Sequence, residues 1–198
     1  METTTLVMIR HGRPSEEVVG THYGQTDVAL SDRGRAQSLA VVEQFSTTKI
    51  DAIYSSDLQR AYWLADKLTE SRSLVAARLP TLRERSIGIF HGMTYAEGLA
   101  QYPEEARMMR SLGAMHRPPE GEDLTDLAGR VLPAVADIVN AHPAQTVVVV
   151  GHGGPMRVVL GDALAMPLEA VERISIEYCG VCVIDYCQGA PRVRQINA

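Results

Sequence analysis

Two periods of apolar residues alternate along this chain: short continuous runs, and longer stretches with helical spacing. Leu6-Val7-Met8-Ile9 is a continuous run, the pattern of a strand covered on both faces. Thr146-Val147-Val148-Val149-Val150 is the clearest case, because four successive valines suit a buried central strand. Asp51-Ala52-Ile53-Tyr54 reads as another short strand. Between them, Ser31 fits the N-cap of a helix running to about Phe45, with Ala36, Leu39 and Val42 on one face. Further helices are predicted across Gln59 to about Glu70, from about Leu124 to Asn140, and from Pro155 to Leu164. Pro133 is a candidate kink in the third of these. The tail predicts strands at Ile174–Tyr178, Val181–Tyr186 and Val193–Ile196. The segment from about Thr94 to Glu120 is less regular and reads as helical insertions with loops, suited to a lid. Alternating strands and helices predict one α/β domain over residues 1–198.

Composition narrows the classes. The chain has 198 residues, is 45% hydrophobic and 22% charged, and carries a formal net charge of -5. That balance argues against a broad nucleic-acid surface, which needs a basic excess, but leaves room for a local basic pocket. The opening METTTLVMIRHG has no basic n-region and only a short apolar run, so no secretory leader is expected. No stretch approaches the ~20 apolar residues of a membrane span. A cytoplasmic location is the resulting expectation. Cys179 and Cys182 have Cys-x-x-Cys spacing, but without a second pair or a helix start they read as small apolar residues of a sheet.

The chemistry lies where the strands end. The first strand ends in Arg10-His11-Gly12, and the valine strand in Gly151-His152-Gly153-Gly154 before a helix. In an open α/β sheet, ligands sit beyond the carboxyl ends of the strands. Both histidines would therefore project toward one crevice if these strands are neighbours. The glycines let backbone approach a ligand, and a helix N-terminus favours an anion. Ser55-Ser56-Asp57-Leu58-Gln59-Arg60-Ala61 is a third strand-to-helix junction, and Arg60 could reach the same crevice. Two arginines and two histidines suit a doubly charged oxyanion, since guanidinium donates paired hydrogen bonds.

Phosphoryl transfer needs a nucleophile, charge neutralisation and an acid for the leaving group. Neutral imidazole is a competent nucleophile at pH 7. The histidines have few acidic neighbours and lack a third ligand at a recognisable spacing, so no metal is called for and the basic side chains would replace one. Leu82-Arg83-Glu84-Arg85-Ser86-Ile87-Gly88 offers Glu84 as the acid, although a surface ion-pair glutamate has the same local pattern.

Four ordered motifs together resemble the histidine phosphatase superfamily, the phosphoglycerate-mutase-like proteins. They are Arg10-His11-Gly12 with Tyr23-Gly24-Gln25-Thr26-Asp27, the Ser55–Ala61 element, Leu82-Arg83-Glu84 with Gly88 and Gly92, and Val149-Val150-Gly151-His152-Gly153. The resemblance implies a three-layer fold with a mostly parallel central sheet flanked by helices. It implies His11 as a nucleophile forming phosphohistidine. Arg10, Arg60 and His152 would clamp the phosphate, and Glu84 would be the proton donor. No cofactor is implied. Tyr23, Gly24, Gln25, Ser15 and Gly153 are the expected substrate-binding residues. Ser15 or Gln25 would replace an asparagine-like phosphate contact, because the chain reads Arg13-Pro14-Ser15-Glu16-Glu17 where many members differ. His91 is a candidate for the substrate pocket or an exposed loop residue. Pro119-Glu120-Gly121-Glu122-Asp123 resembles another family element and could serve only as an N-cap.

The short segment from Glu84 to His152 favours a phosphatase over a mutase, although Arg107, Arg110 and Arg117 lie within it. The expected partner is a small phosphorylated metabolite. The Tyr23–Asp27 stretch and the tail look most like alpha-ribazole phosphatases, with phosphoserine-type and broad-specificity phosphatases as alternatives. A phosphoester-binding module without turnover is the contrasting class. Met108, Met109 and Met115 suit either a lid or a homodimer interface.

Overall fold

The computed structural model describes residues 3–187 and 189–198. Among the described residues, six strands form one sheet: β1 (Thr4–Arg10), β2 (Ala52–Ser55), β3 (Ala76–Arg78), β4 (Thr146–Gly151), β5 (Val181–Tyr186) and β6 (Arg192–Gln195). Their spatial order is β3-β2-β4-β1-β5-β6. The neighbours from β3 to β1 are parallel, and β5 runs antiparallel to both β1 and β6. The principal helices are α1 (Asp32–Gln44), α2 (Gln59–Thr69), α3 (Tyr95–Gln101), α4 (Pro103–Leu112), α5 (Leu124–Ala141) and α6 (Gly153–Ala163).

The apolar runs predict burial on both faces, and the period of two along a strand explains the two cores. Leu6 and Met8 of β1 and Val147 and Val149 of β4 face α5 and α6, against Leu127, Val131 and Leu160. Val7, Ile9, Val148 and Val150 face the other way, against Val41, Leu64 and Leu68 of α1 and α2. Full burial of each such side chain stabilises by roughly 1.5–3 kcal/mol. The result is helix, sheet and helix in three layers, as the sequence predicts. Residues 94–120 form α3, α4 and a short 3-10 turn around a separate cluster of Ile87, Phe90 and Ala106.

The local signals mostly hold. Ser31 caps α1 by accepting from Gly34 N at 3.1 Å. Asp123 caps α5 in a reciprocal box with Asp126. α5 runs unbroken through Pro133.

Two expectations need correction, and one strand was not expected. The buried face of α1 is Gly34, Ser38 and Val41, while Leu39 is 51% exposed and Ala36 also faces outward. The cause is a backbone crossing: a Cβ on Gly34 would lie 2.0 Å from Arg13 O, so the helix turns its glycine toward the chain after His11. Ile174–Tyr178 is not a strand, because its carbonyls bond to arginines instead of a ladder. Arg157 Nε donates to Ile174 O and Arg10 Nη1 to Ile176 O. β3, an edge strand of sequence Ala-Ala-Arg, went unpredicted because it has no apolar pattern.

All three cysteines are free, and of these Cys182 is buried within β5, Cys179 lies in a turn at φ +58, and Cys187 is exposed. No helix among the described residues is long and apolar enough to cross a membrane.

Candidate active site

Strand pairing brings the predicted histidines together. β1 and β4 are parallel neighbours with Arg10 opposite Gly151, and His11 N donates to Gly151 O at 3.0 Å. Both chains leave the sheet at the same edge, and the rings of His11 and His152 lie 5.1 Å apart between centroids. β2 flanks β4 on the other side, and Ser56 N donates to Val150 O at 3.1 Å. The chain then enters α2, which carries Arg60 to the same edge.

The site is buried: His11 is 1% exposed, and His152 and Arg60 are 0% exposed. His11 Nδ1 lies 2.7 Å from Gly12 O. A carbonyl only accepts, so the proton sits on Nδ1 and the lone pair on Nε2. Burial, then Arg60 and Arg10, hold this imidazole well below its ordinary range, against the opposing Gly12 carbonyl. Burial, then Arg60, His11 and Arg10, lower His152 in the same way. Both rings are therefore neutral at pH 7.

The guanidinium groups are held from behind. Arg60 donates to Thr26 O at 2.7 Å and Gly24 O at 2.6 Å, while its Nε has no partner among the described residues. Arg10 Nε and both ring nitrogens of His152 are likewise buried without a partner among the described residues. Two guanidinium Nε–H groups and the one N–H of neutral His152, unpartnered beside His11, form a cradle that an anion would satisfy. Tyr178 stacks on Arg10 at 4.0 Å, and Tyr23 lies 5.1 Å from Arg60. Burial and the hydrogen bond to Tyr178 push the Tyr23 phenol upward.

Glu84 enters from the loop before the Gly88 turn. Its two oxygens accept from Arg85 N at 2.8 Å and Gly154 N at 3.2 Å. Arg130 braces the loop by donating to Arg83 O at 2.8 Å and Glu84 O at 2.9 Å. Gln25 Nε2 also donates to Glu84 O at 3.0 Å, so this predicted substrate contact reaches the acid's backbone. Gly24 supplies a carbonyl to Arg60 at φ +38.

Gly153 opens α6 beside Arg10. Its neighbour Gly154 has the sharper steric role, since a Cβ there would lie 2.2 Å from Glu84 Oε1. Ser15 precedes a 3-10 turn, donates its N–H to Ala29 O at 2.8 Å, and is outside the cavity lining described below. His91 is a tether: Nδ1 donates to Gly88 O at 2.8 Å, and Nε2 accepts from Gln25 N at 3.3 Å.

A cavity of about 250 Å3 opens beside Glu84 and Gly154. His22, Arg85, Arg157 and Glu172 line it with Ile87, Leu124 and Leu127. Sequence reasoning singled out none of those four polar residues. Arg85 and His22 directly adjoin motif residues, and Arg157 follows Gly153 by one helical turn, so position offered a signal for them. Glu172 and Tyr178 offered none.

The histidine phosphatase superfamily (branch 1) family model matches residues 6–198. Glucosyl-3-phosphoglycerate phosphatase of Mycobacterium tuberculosis is 36% identical over 176 residues, covering 85% of this chain and 78% of that protein. Phosphoserine phosphatase 1 of Hydrogenobacter thermophilus is 32% identical over 165 residues, covering 82% and 77%. Among solved structures, native mycobacterial glucosyl-3-phosphoglycerate phosphatase superposes with a TM-score of 0.89 at 31% identity, covering 99% of each chain. The alpha-ribazole phosphatase of Shigella flexneri gives a TM-score of 0.90 at 23% identity over 98% and 96%, a likeness of fold. With its strand-end histidines in place and nearly its whole length matched, the chain belongs to the histidine phosphatase superfamily.

Proposed function

We propose that this protein hydrolyses its phosphomonoesters through a phosphohistidine on His11. The enzyme is a phosphatase of small phosphorylated metabolites. The observation that carries the mechanism is the pair of buried neutral imidazoles beside two guanidiniums with unpartnered Nε atoms.

His11 Nε2 attacks phosphorus, and the bond to the leaving oxygen breaks with its electron pair going to that oxygen. Glu84 supplies the proton that completes the alcohol. Arg10, Arg60 and one N–H of His152 neutralise the equatorial oxygens, the role a metal ion fills elsewhere. Water then attacks the phosphohistidine, Glu84 accepts its proton, and the P–N electron pair returns to imidazole. The Nδ1 bond to Gly12 O keeps Nε2 facing phosphorus throughout. The free cysteines suit a reducing, cytoplasmic setting.

The substrate panel includes alpha-ribazole phosphate, phosphoserine and glucosyl-3-phosphoglycerate. Wild type is expected to release phosphate from p-nitrophenyl phosphate, while His11→Ala folds but loses this activity. Turnover retained by that variant would remove His11 from the mechanism.

A further inference from the structure

Arg10 and Arg60 share the phosphate cradle but are held unequally. Arg60 gives nitrogens to two backbone carbonyls, Thr26 O and Gly24 O. Among the described residues, the Arg10 side chain donates to one, Ile176 O, through Nη1 at 2.5 Å. A guanidinium with a single hydrogen bond can pivot about it, and the neighbouring Arg60 cation repels it. The second restraint on Arg10 is a ring. Its guanidinium carbon stands 4.0 Å from the centre of the Tyr178 ring. An aromatic face attracts a cation and, by stacking, resists its rotation. Tyr178 also lies beside the nucleophile, with its ring centre 5.7 Å from that of His11.

The chain builds a braced turn to put Tyr178 there. Cys179, the next residue, has φ +58. Residues other than glycine seldom adopt that region unless surrounding bonds impose it. Here Cys179 N donates to Arg10 O at 3.1 Å, and Gly180 N to Glu177 O at 3.0 Å. Asn197 clamps the same turn, donating to Ser175 O at 2.8 Å and accepting from Glu177 N at 2.9 Å. The Tyr178 hydroxyl is hydrogen-bonded to Tyr23, whose ring lies 5.1 Å from Arg60. Two joined rings thus face the two guanidiniums. Tyr23 also lines the leaving-group cavity, the 250 Å3 space whose wall includes Glu84. Tyr23 and Tyr178 together line a second space of about 150 Å3 toward Arg13 and Val18. Neither histidine, neither cradle arginine nor Glu84 lines that second space, so the tyrosines close the cradle on that side.

We propose that Tyr178 is a positioning residue: its ring face fixes the Arg10 guanidinium for phosphate, and its hydroxyl bond to Tyr23 sets the ring. Tyr178 acts through Arg10 and supplies no proton or charge of its own. This inference rests on the phosphatase reading of the site. It concerns the phosphate that every substrate shares, so it holds whichever alcohol leaves.

The test is competitive inhibition by inorganic phosphate, with p-nitrophenyl phosphate as substrate. An inhibition constant does not depend on the fraction of enzyme that is folded. Tyr178→Leu keeps apolar bulk and removes the ring, and should weaken phosphate by roughly 5- to 30-fold, the scale of a desolvated cation–π contact. Tyr178→Met removes the ring with a more adaptable side chain and should give the same loss. Tyr178→Phe keeps the ring and should lose less than about threefold. In an Arg10→Gln enzyme, Tyr178→Leu should change the constant by less than about twofold, because the group it acts through is gone. A structural role, or one exerted through His11, would give the same loss with and without Arg10.

An unchanged constant in Tyr178→Leu or Tyr178→Met, a loss of about fivefold or more in Tyr178→Phe, or equal losses in the two Arg10 backgrounds overturns the positioning role. If p-nitrophenyl phosphate turnover persists and depends on His11, that failure leaves the phosphatase mechanism standing. If wild type does not hydrolyse p-nitrophenyl phosphate, both readings fall.

Discussion

Gly154→Ala separates catalytic geometry from folding at a single methyl group. The new Cβ would sit 2.2 Å from Glu84 Oε1 and 3.2 Å from Glu84 Cδ. An ordinary contact is about 3.4 Å, so the carboxyl must retreat by roughly 1 Å. Leu127 Cδ2, 3.2 Å from the same point, crowds the site further. A misplacement of that size can cost about 100-fold in rate, or ~2.7 kcal/mol of transition-state stabilisation. The backbone should tolerate alanine, because Gly154 has no positive φ and lies in the first turn of α6. The expected result is a folded enzyme with a melting temperature only modestly lowered by the Glu84 and Leu127 contacts, and kcat for an alkyl phosphate down about 100-fold. The loss should be smaller for p-nitrophenyl phosphate, which needs less help from an acid. Gly129→Ala in α5 is the control. Its Cβ would meet nothing within 4 Å among the described residues, so it should stabilise without touching kcat. Wild-type kcat in a folded Gly154→Ala enzyme would refute the placement of Glu84 as the acid.

Other outcomes follow from the same geometry. Glu84→Gln should slow an alkyl phosphate more than p-nitrophenyl phosphate; equal losses would contradict proton donation to the leaving oxygen. Activity should survive EDTA, because side chains supply the positive charge, and strong loss on chelation would revive a metal mechanism. His11 and His152 are buried neutral, with folded pKa values below the unfolded value of about 6.5. Below that pH the unfolded chain binds protons the folded one excludes. Their contribution to stability is therefore complete above about pH 6.5 and declines as pH falls toward the folded values. Each contributes a slope of ~1.4 kcal/mol per pH unit in that window. Urea titrations at successive pH values should show a shallower slope for His152→Gln, and an unchanged slope would contradict its neutral burial.

The sequence was most legible where one local rule governed. Runs such as Leu6–Ile9 and Val147–Val150 could satisfy burial on both faces only as central strands, and their neighbouring pairing placed both histidines. Ser31 and Asp123 marked helix starts because their oxygens meet orphan N–H groups. Legibility failed where distant chain segments decided the outcome. Leu39 looked like core, but the Gly34 crossing against Arg13 rotated α1. Ile174–Tyr178 alternates like a strand, yet arginines take its carbonyls. Gln25 pointed to phosphate by position and instead holds the Glu84 loop, a contact spanning 59 residues. The leaving-group cavity was hidden because its polar residues come from four separate segments.

Trapping the intermediate bears most directly on the mechanism. Rapid mixing with a phosphomonoester, alkaline quench and mass spectrometry should find one acid-labile phosphoryl group on His11, absent from His11→Ala. A phosphoryl group on His152 or another residue, or wild-type turnover by His11→Ala, would contradict it.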